Sequence, residues 1–377
     1  MMKKQVIAMV MVGGRGTRLG NITKETAKPA VSFGGKYKLI DFVLSNLSNS
    51  EIDTCGIITQ YEPHELMTYI GRGSTWDLDV NEGGVTFLTP YTTQSGELWQ
   101  KGTANAILRH FRYIEHYDPE HVLILSGDHI YKMDYNKMIA KHIKRDADIT
   151  IATFKVTKEA SRFGILQSNS KGDVVSFEEK PKVPKSNQAS MGIYVFKKNI
   201  LKELLEFDLD NNFDFGQDII PLALEKKYKV MSHKFNGYFR DVGTIESLYE
   251  ANMDLIDNPQ YLKVHEYIDS PVYTISSNLP PHHIGEHCKV KNSMISDGCL
   301  IYGDLLHSIV SSGVVVEHGS KVVNSIIHRN AKIGKQCYLK NVILLENSVI
   351  LPNTELIFDK VTVIDNEYLW KKGDNDE

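Results

Sequence analysis

The sequence is short of the features that mark several protein classes. Four cysteines occur in 377 residues, Cys55, Cys288, Cys299 and Cys337, and none forms a CxxC pair or keeps close company with histidine. A disulfide-framed secreted domain and a zinc site are thereby excluded, and buried reduced thiols in a cytoplasmic protein are expected. No run approaches the ~20 apolar residues of a membrane span. The leader-like start, MMKKQVIAMVMVGG, has a short apolar run over 6–12 and no small-residue cleavage site. It reads as a first buried strand. An excess of one charge is also missing: 43 Lys and Arg face 47 Asp and Glu, a formal net charge of −4. That excludes a broad basic surface for nucleic acid and a polybasic membrane anchor, so any phosphate recognition must be local.

What is present is length for roughly two domains. Over the first ~255 residues short apolar runs at 6–12, 56–59, 122–125, 149–156 and 192–196 alternate with helical patterns. The runs suit buried parallel strands. The helical stripes are Ile107, Leu108, Phe111 and Ile114; Met138, Ile139, His142 and Ile143; and Ile200, Leu201, Leu204 and Leu205. His142 is expected to pack rather than bind. This alternation predicts an α/β fold: a Rossmann-like domain, with a mostly parallel mixed sheet covered on both faces and ligands at the carboxyl ends of its strands.

After about residue 260 the pattern changes. A polar-small-aliphatic-aliphatic unit recurs at Asn292, His307, Asn324 and Lys340. One such unit per coil predicts a left-handed parallel β-helix, with an antiparallel sandwich of short strands as the alternative. The expected boundaries are a catalytic domain over 1–258, a linker over 259–280, the β-helix over 281–365 and a solvated tail over 366–377.

Four stretches carry candidate chemistry. VGGRGTRLG, residues 12–20, follows the first strand. Its glycines would let backbone N–H groups approach an anion, and its arginines add planar donors suited to phosphoryl oxygens. It matches neither GxxxxGK[ST] nor GxGxxG, and a plain strand-to-helix turn reads equally well. Lys28 in AKPAV is a charge preset by the following proline. LSGDHIYKMDY places Asp128 at the end of a strand, where it could hold Mg²⁺ or simply cap a turn. FRDVGT supplies a second carboxylate, Asp241, and convergence of the two would make a metal site for phosphoryl chemistry. Lys180 in FEEKP could bind a further phosphate.

Together with KPAVSFGGKYKLIDFVLSN, ITQY, GTANA, SRFGI, ASMGIYVF and DFGQDIIP, these stretches run in the order of a known family. The chain resembles the glucose-1-phosphate adenylyltransferases, the ADP-glucose pyrophosphorylases of bacterial glycogen synthesis, over nearly the whole catalytic half and the β-helix. The resemblance implies that ATP and glucose 1-phosphate give ADP-glucose and pyrophosphate, with Mg²⁺ as cofactor. It implies a nucleotide loop of Gly13, Gly14, Gly16 and Thr17, with Arg18 and Lys28 on the triphosphate and the leaving pyrophosphate. Gln60, Gly102 and Thr103 would line the nucleotide pocket, and Asp128 and Asp241 would hold Mg²⁺. Gln100, Gly164, Glu179, Lys180 and Ser190 fall to glucose 1-phosphate, while Tyr61 and Trp99 would couple regulatory and substrate sites. A tetramer, of one chain or with a paralogous subunit, is implied as well.

Three positions depart from the family pattern. Val12 stands where alanine is usual, and Gln100 where a tyrosine would offer a ring face for stacking. The loop over 23–26 offers one lysine and one glutamate where allosteric members place activator-binding cations. Two other readings remain: a pyrophosphorylase for another nucleotide, and a non-catalytic regulatory or scaffolding subunit. Scaffolding paralogues typically lose a clamp cation or a metal carboxylate, and here Arg18, Lys28, Asp128, Lys180 and Asp241 are all present.

Overall fold

The computed structural model describes residues 4–14, 16–60, 63–90, 92–93, 96–97, 102–156, 159–207, 214–264 and 270–373. Its larger half is built on a nine-stranded sheet. The strands are β1 (Val6–Met11), β2 (Thr54–Ile58), β3 (Gly84–Leu88), β4 (His121–Ser126), β5 (Ile149–Lys155), β6 (Gly164–Ser168), β7 (Val174–Glu179), β8 (Gln188–Lys197) and β9 (Val230–Lys234). The main path runs β7-β6-β8-β4-β1-β2-β3, and β5 pairs with both β8 and β9.

β1 to β4 are mutually parallel along this path. Their runs are apolar without alternation because both faces are covered. On one face, Ile40, Val43, Leu44 and Leu47 of the helix Leu39–Asn49 and Met138 of Tyr135–Lys144 pack on Val10, Leu123 and Leu125. On the other, Ile107, Ile114, Leu201 and Leu204 pack on Ile7, Met9 and Ile124. The run 192–196 differs from expectation: it belongs to β8, which is antiparallel to β4 and β5. The stripe through Ile107 and Ile114 spans two helices, Thr103–Arg109 and Phe111–Tyr117, because the backbone leaves helical geometry at His110. His142 is fully buried, with Nδ1 2.8 Å from Thr150 Oγ1 and its ring against His121. Ile143, expected in the same stripe, is instead 40% exposed.

The stretch expected to be a linker is tied down where it is described. Trp76 Nε1 donates to the Tyr273 carbonyl at 3.2 Å, and Tyr273 N donates to Ser45 Oγ at 2.8 Å. Beyond it the strands coil. Met294, Ile309, Ile326 and Ile343 stand side by side in parallel register, and so do Ile284, Ile301, Val316, Ile333 and Ile350 on another face. Parallel pairing throughout rules out the sandwich and gives the left-handed β-helix. Each coil turns a corner through a residue in the left-handed backbone region: Asn292, His307, Asn324 and Asn341, with φ from 47° to 56°. Asparagine tolerates that region better than most side chains. The fourth unit therefore begins at Asn341, one residue later than its sequence pattern suggested. A serine ladder runs up the corner: Ser308 N donates to Ser293 Oγ, Ser325 N to Ser308 Oγ and Val342 N to Ser325 Oγ, at 3.2, 3.2 and 3.1 Å. The tail, expected to be solvated, carries a helix over Asn366–Gly373. Among the described residues no helix is long and apolar enough to cross a membrane.

Candidate active site

Met11 is in register with both Ile58 and Ser126, so β1, β2 and β4 end level. Three chains leave the sheet at one edge, and a cavity of about 320 Å³ opens there. Gly13, Gly14, Lys28, Gln60, Gly102, Thr103 and Asp128 line it. Five of the seven residues assigned to the nucleotide thus share one pocket with a cation and a carboxylate. A Cβ placed on Gly14 would meet nothing within 4 Å, so the loop backbone stands open to a ligand. Gly16 and Thr17 act one step back. Gly16 turns the chain at φ 64° into the 3-10 helix Thr17–Thr23, and Thr23 Oγ1 holds its carbonyl at 2.8 Å. Val12 is accommodated because Gly127 faces it: a Cβ on Gly127 would lie 2.5 Å from Val12 Cγ1. Tyr61, Trp99 and Gln100, and Arg15 of the loop, lie outside the described residues.

At one side of the cavity, where Lys28 and Asp128 line it, distant segments meet. Lys28 is buried in the short turn Lys28–Ala30, which Pro29 stiffens. Its Nζ lies 2.6 Å from Asp128 Oδ2 and 3.5 Å from Asp241 Oδ1. Asp241 arrives on the strand Phe239–Asp241, antiparallel to His129–Tyr131, with Asp241 opposite His129. Ser126 Oγ donates to Asp128 Oδ1, and His129 Nε2 lies 3.6 Å from Asp128 Oδ1 and 4.0 Å from Asp241 Oδ1. Burial works against ionising Asp128, but the Lys28 ammonium, His129 and the Ser126 hydroxyl outweigh it and hold the carboxyl well below its usual range. Burial likewise opposes charge on Lys28, and the two carboxylates overcome it and raise its pKa. Both groups are therefore charged at neutral pH.

The proposed sugar side is built on β6, β7 and β8. Gly164 pairs with Glu179. A Cβ on Gly164 would fall 2.8 Å from Glu179 Oε2, and one on Gly216 would fall 2.4 Å from it. Two glycines thus make room for the Glu179 carboxylate. Lys180 Nζ is 2.9 Å from Glu179 Oε1, on a mostly exposed side chain. Ser190 is buried, with Oγ accepting from Gly192 N at 3.1 Å. Arg18 is exposed, with its guanidinium near Gly243 and Asp241.

Sequence reading assigned no role to His129, Arg162 or Asp214. Asp214 joins two of the quoted stretches: it accepts from Thr103 Oγ1 at 2.9 Å and from Gly216 N at 2.8 Å. Lys24, the cation of the loop over 23–26, is committed to Glu367 Oε2 at 3.1 Å. It lines an interdomain cleft with Glu25, Glu65, Glu346 and Asp365.

Asp128 and Asp241 share the Lys28 ammonium, at 2.6 and 3.5 Å. Among the described residues no group of three or more His, Cys, Asp or Glu gathers around a metal position. That donor set fits a hard divalent cation completed by substrate phosphates and water, rather than one caged by protein.

Residues 7–258 match the family model described as nucleotidyl transferase, and 278–367 match one described as GlmU-like, C-terminal hexapeptide. Proteins named glucose-1-phosphate adenylyltransferase from Bacillus anthracis, Bacillus thuringiensis subsp. konkukian (strain 97-27) and Bacillus mycoides (strain KBAB4) are each 50% identical to the chain over 356 residues. The match covers 93% of this chain and 94% of each relative. With the strand-edge cavity and its converging Lys28, Asp128 and Asp241, these likenesses show that the chain belongs to the nucleotidyl transferase family, in its glucose-1-phosphate adenylyltransferase branch.

Proposed function

We propose that the chain transfers the adenylyl group of ATP to α-D-glucose 1-phosphate, making ADP-glucose for glycogen synthesis and releasing pyrophosphate. The observation that carries this reading is the meeting of Lys28, Asp128 and Asp241 beside the open glycine loop. A phosphate oxygen of glucose 1-phosphate attacks the α-phosphorus in line. The new P–O bond forms as the bond to the bridging oxygen breaks, and pyrophosphate leaves with the electron pair. Both reactants are anions, so positioning and charge neutralisation supply most of the catalysis. Gly13, Gly14, Gly16 and Thr17 shape the loop that receives the phosphates. Arg18 and Lys28 hold the triphosphate and the departing pyrophosphate, Lys28 turning from carboxylate to phosphate oxygens. Gln60, Gly102 and Thr103 receive the nucleotide. Lys180 holds the sugar phosphate while Glu179 accepts from sugar hydroxyls, beside Gly164 and Ser190. Asp128 and Asp241 are the ligands for Mg²⁺, which when bound neutralises charge on the reacting phosphates.

Retention of every charged group supports catalysis over a scaffolding role. Exposed aliphatics on the β-helix, Leu300, Val349 and Leu351, support assembly into a tetramer. Unpaired cysteines suit a reducing cytoplasm. The test is an assay of the purified chain with glucose 1-phosphate and each of ATP, GTP, UTP and dTTP. Strong preference for ATP is expected, and preference for another nucleotide would sink the reading. In the same assay Lys180→Ala raises KM for glucose 1-phosphate far more than KM for ATP.

A further inference from the structure

Arg162 ends the short turn Ala160–Arg162 between β5 and β6. Its guanidinium is divided between two environments. Nη1 is tied to Glu159 Oε2 at 2.7 Å near the surface. Nη2 is buried, has no hydrogen-bond partner, and points at the catalytic carboxylates, 3.9 Å from Asp241 Oδ2. A buried donor left unpaired is costly and uncommon, so it calls for a partner.

Gly243 shows where that partner would sit. A Cβ there would lie 3.2 Å from an Arg18 Nη, 3.3 Å from Arg162 Nη2 and 3.4 Å from Asp241 Oδ1. The Arg18 and Arg162 guanidiniums thus converge beside Gly243 and Asp241, where any side chain would crowd both. Neighbouring guanidiniums suit anions with several acceptor oxygens. The chain after Arg162 fixes which anion. The Phe163 carbonyl accepts from Lys180 N at 3.1 Å, and Gly164 pairs with Glu179. Arg162 is therefore anchored on the same few residues that carry Lys180.

We propose that Arg162 is a further substrate-binding residue, whose Nη2 donates to the phosphate of the sugar 1-phosphate. This rests on the placement of glucose 1-phosphate beside Glu179 and Lys180. The test is steady-state kinetics of Arg162→Ala and Arg162→Lys, with Lys180→Ala as reference. Arg162→Ala raises KM for glucose 1-phosphate about tenfold or more and KM for ATP less than about twofold, and Arg162→Lys recovers part of the loss. A fall in kcat with that KM unchanged would mean that Arg162 only braces Asp241, and the proposal would be overturned. If Lys180→Ala moves the KM and Arg162→Ala does not, the inference fails while the substrate placement stands; if neither moves it, both fail. Gly243→Ala keeps Arg162 but puts a methyl group against both guanidiniums, so it answers the question even if Arg162→Ala does not fold. The same rise in KM is expected, and an unchanged KM contradicts the proposal.

Discussion

The two halves of the molecule share parallel strands, mixed with antiparallel ones in the catalytic half alone, yet they use the chain in opposite ways. In the β-helix each residue leans on its counterpart one coil away, as Ile309 does on Ile326 and Ser325 on Ser308. In the catalytic half Lys28 finds its partners 100 and 213 residues away. Repetition makes the β-helix tolerant in function and sensitive in stability. Convergence makes the catalytic site the reverse, because its polar groups are few and each is placed by a different element.

That contrast can be broken most sharply at Arg18. Arg18→Ala is expected to lose ~10²–10³-fold in turnover, as removal of a transition-state donor does, with the melting curve unmoved because the side chain is exposed. A loss confined to stability would make it structural. Ile327→Ala should behave oppositely: a fully buried coil residue, it should lose ~2–5 kcal/mol of stability in denaturant titration and leave turnover per folded molecule unchanged. Gly127→Ala lies between the two. Its methyl group meets Val12, and overpacking of this kind typically costs ~1–3 kcal/mol. Adding Val12→Ala should restore most of the lost stability in denaturant titration, and failure to do so would show that the two do not compete for that space.

The smallest expected effect is in pH. Asp128 has a depressed pKa when folded, so its stabilisation is present above its unfolded value near ~3.9 and lost as pH falls below it. Lys28 has a raised pKa, so its share is present below its unfolded value near ~10.4 and lost only above that. The stability difference between the parent and Lys28→Met should be largest at neutral pH and above and shrink as pH falls into the acid range, because burial unopposed by the ammonium raises Asp128 in the variant. A difference that grows as pH falls would contradict the charge assignment.

Much of this was legible in the sequence, for physical reasons. Buried strands announce themselves as apolar runs, and loops that receive phosphate need glycine, so the ends of β1 and β4 could be read directly. The β-helix was legible because every coil solves one packing problem with one residue pattern. Strand direction was not: nothing in Gly192 to Phe196 distinguishes a parallel from an antiparallel neighbour. Nor was the start of the fourth unit, since only the left-handed backbone at Asn341 separates it from Lys340. Arg162 and His129 went unassigned because a polar side chain in a short turn or at the start of a three-residue strand carries no local mark of what it will face. Their partner Asp241 lies far along the chain, and only the fold brings them within 4.0 Å.

The central claim is that Asp128 and Asp241 serve one centre. It is tested most directly by a double-mutant cycle of Asp128→Asn and Asp241→Asn, measuring kcat/KM with ATP and glucose 1-phosphate. If the carboxylates hold one metal between them, the double variant should be about as impaired as the worse single variant. Losses that multiply would mean two independent roles and would contradict the account.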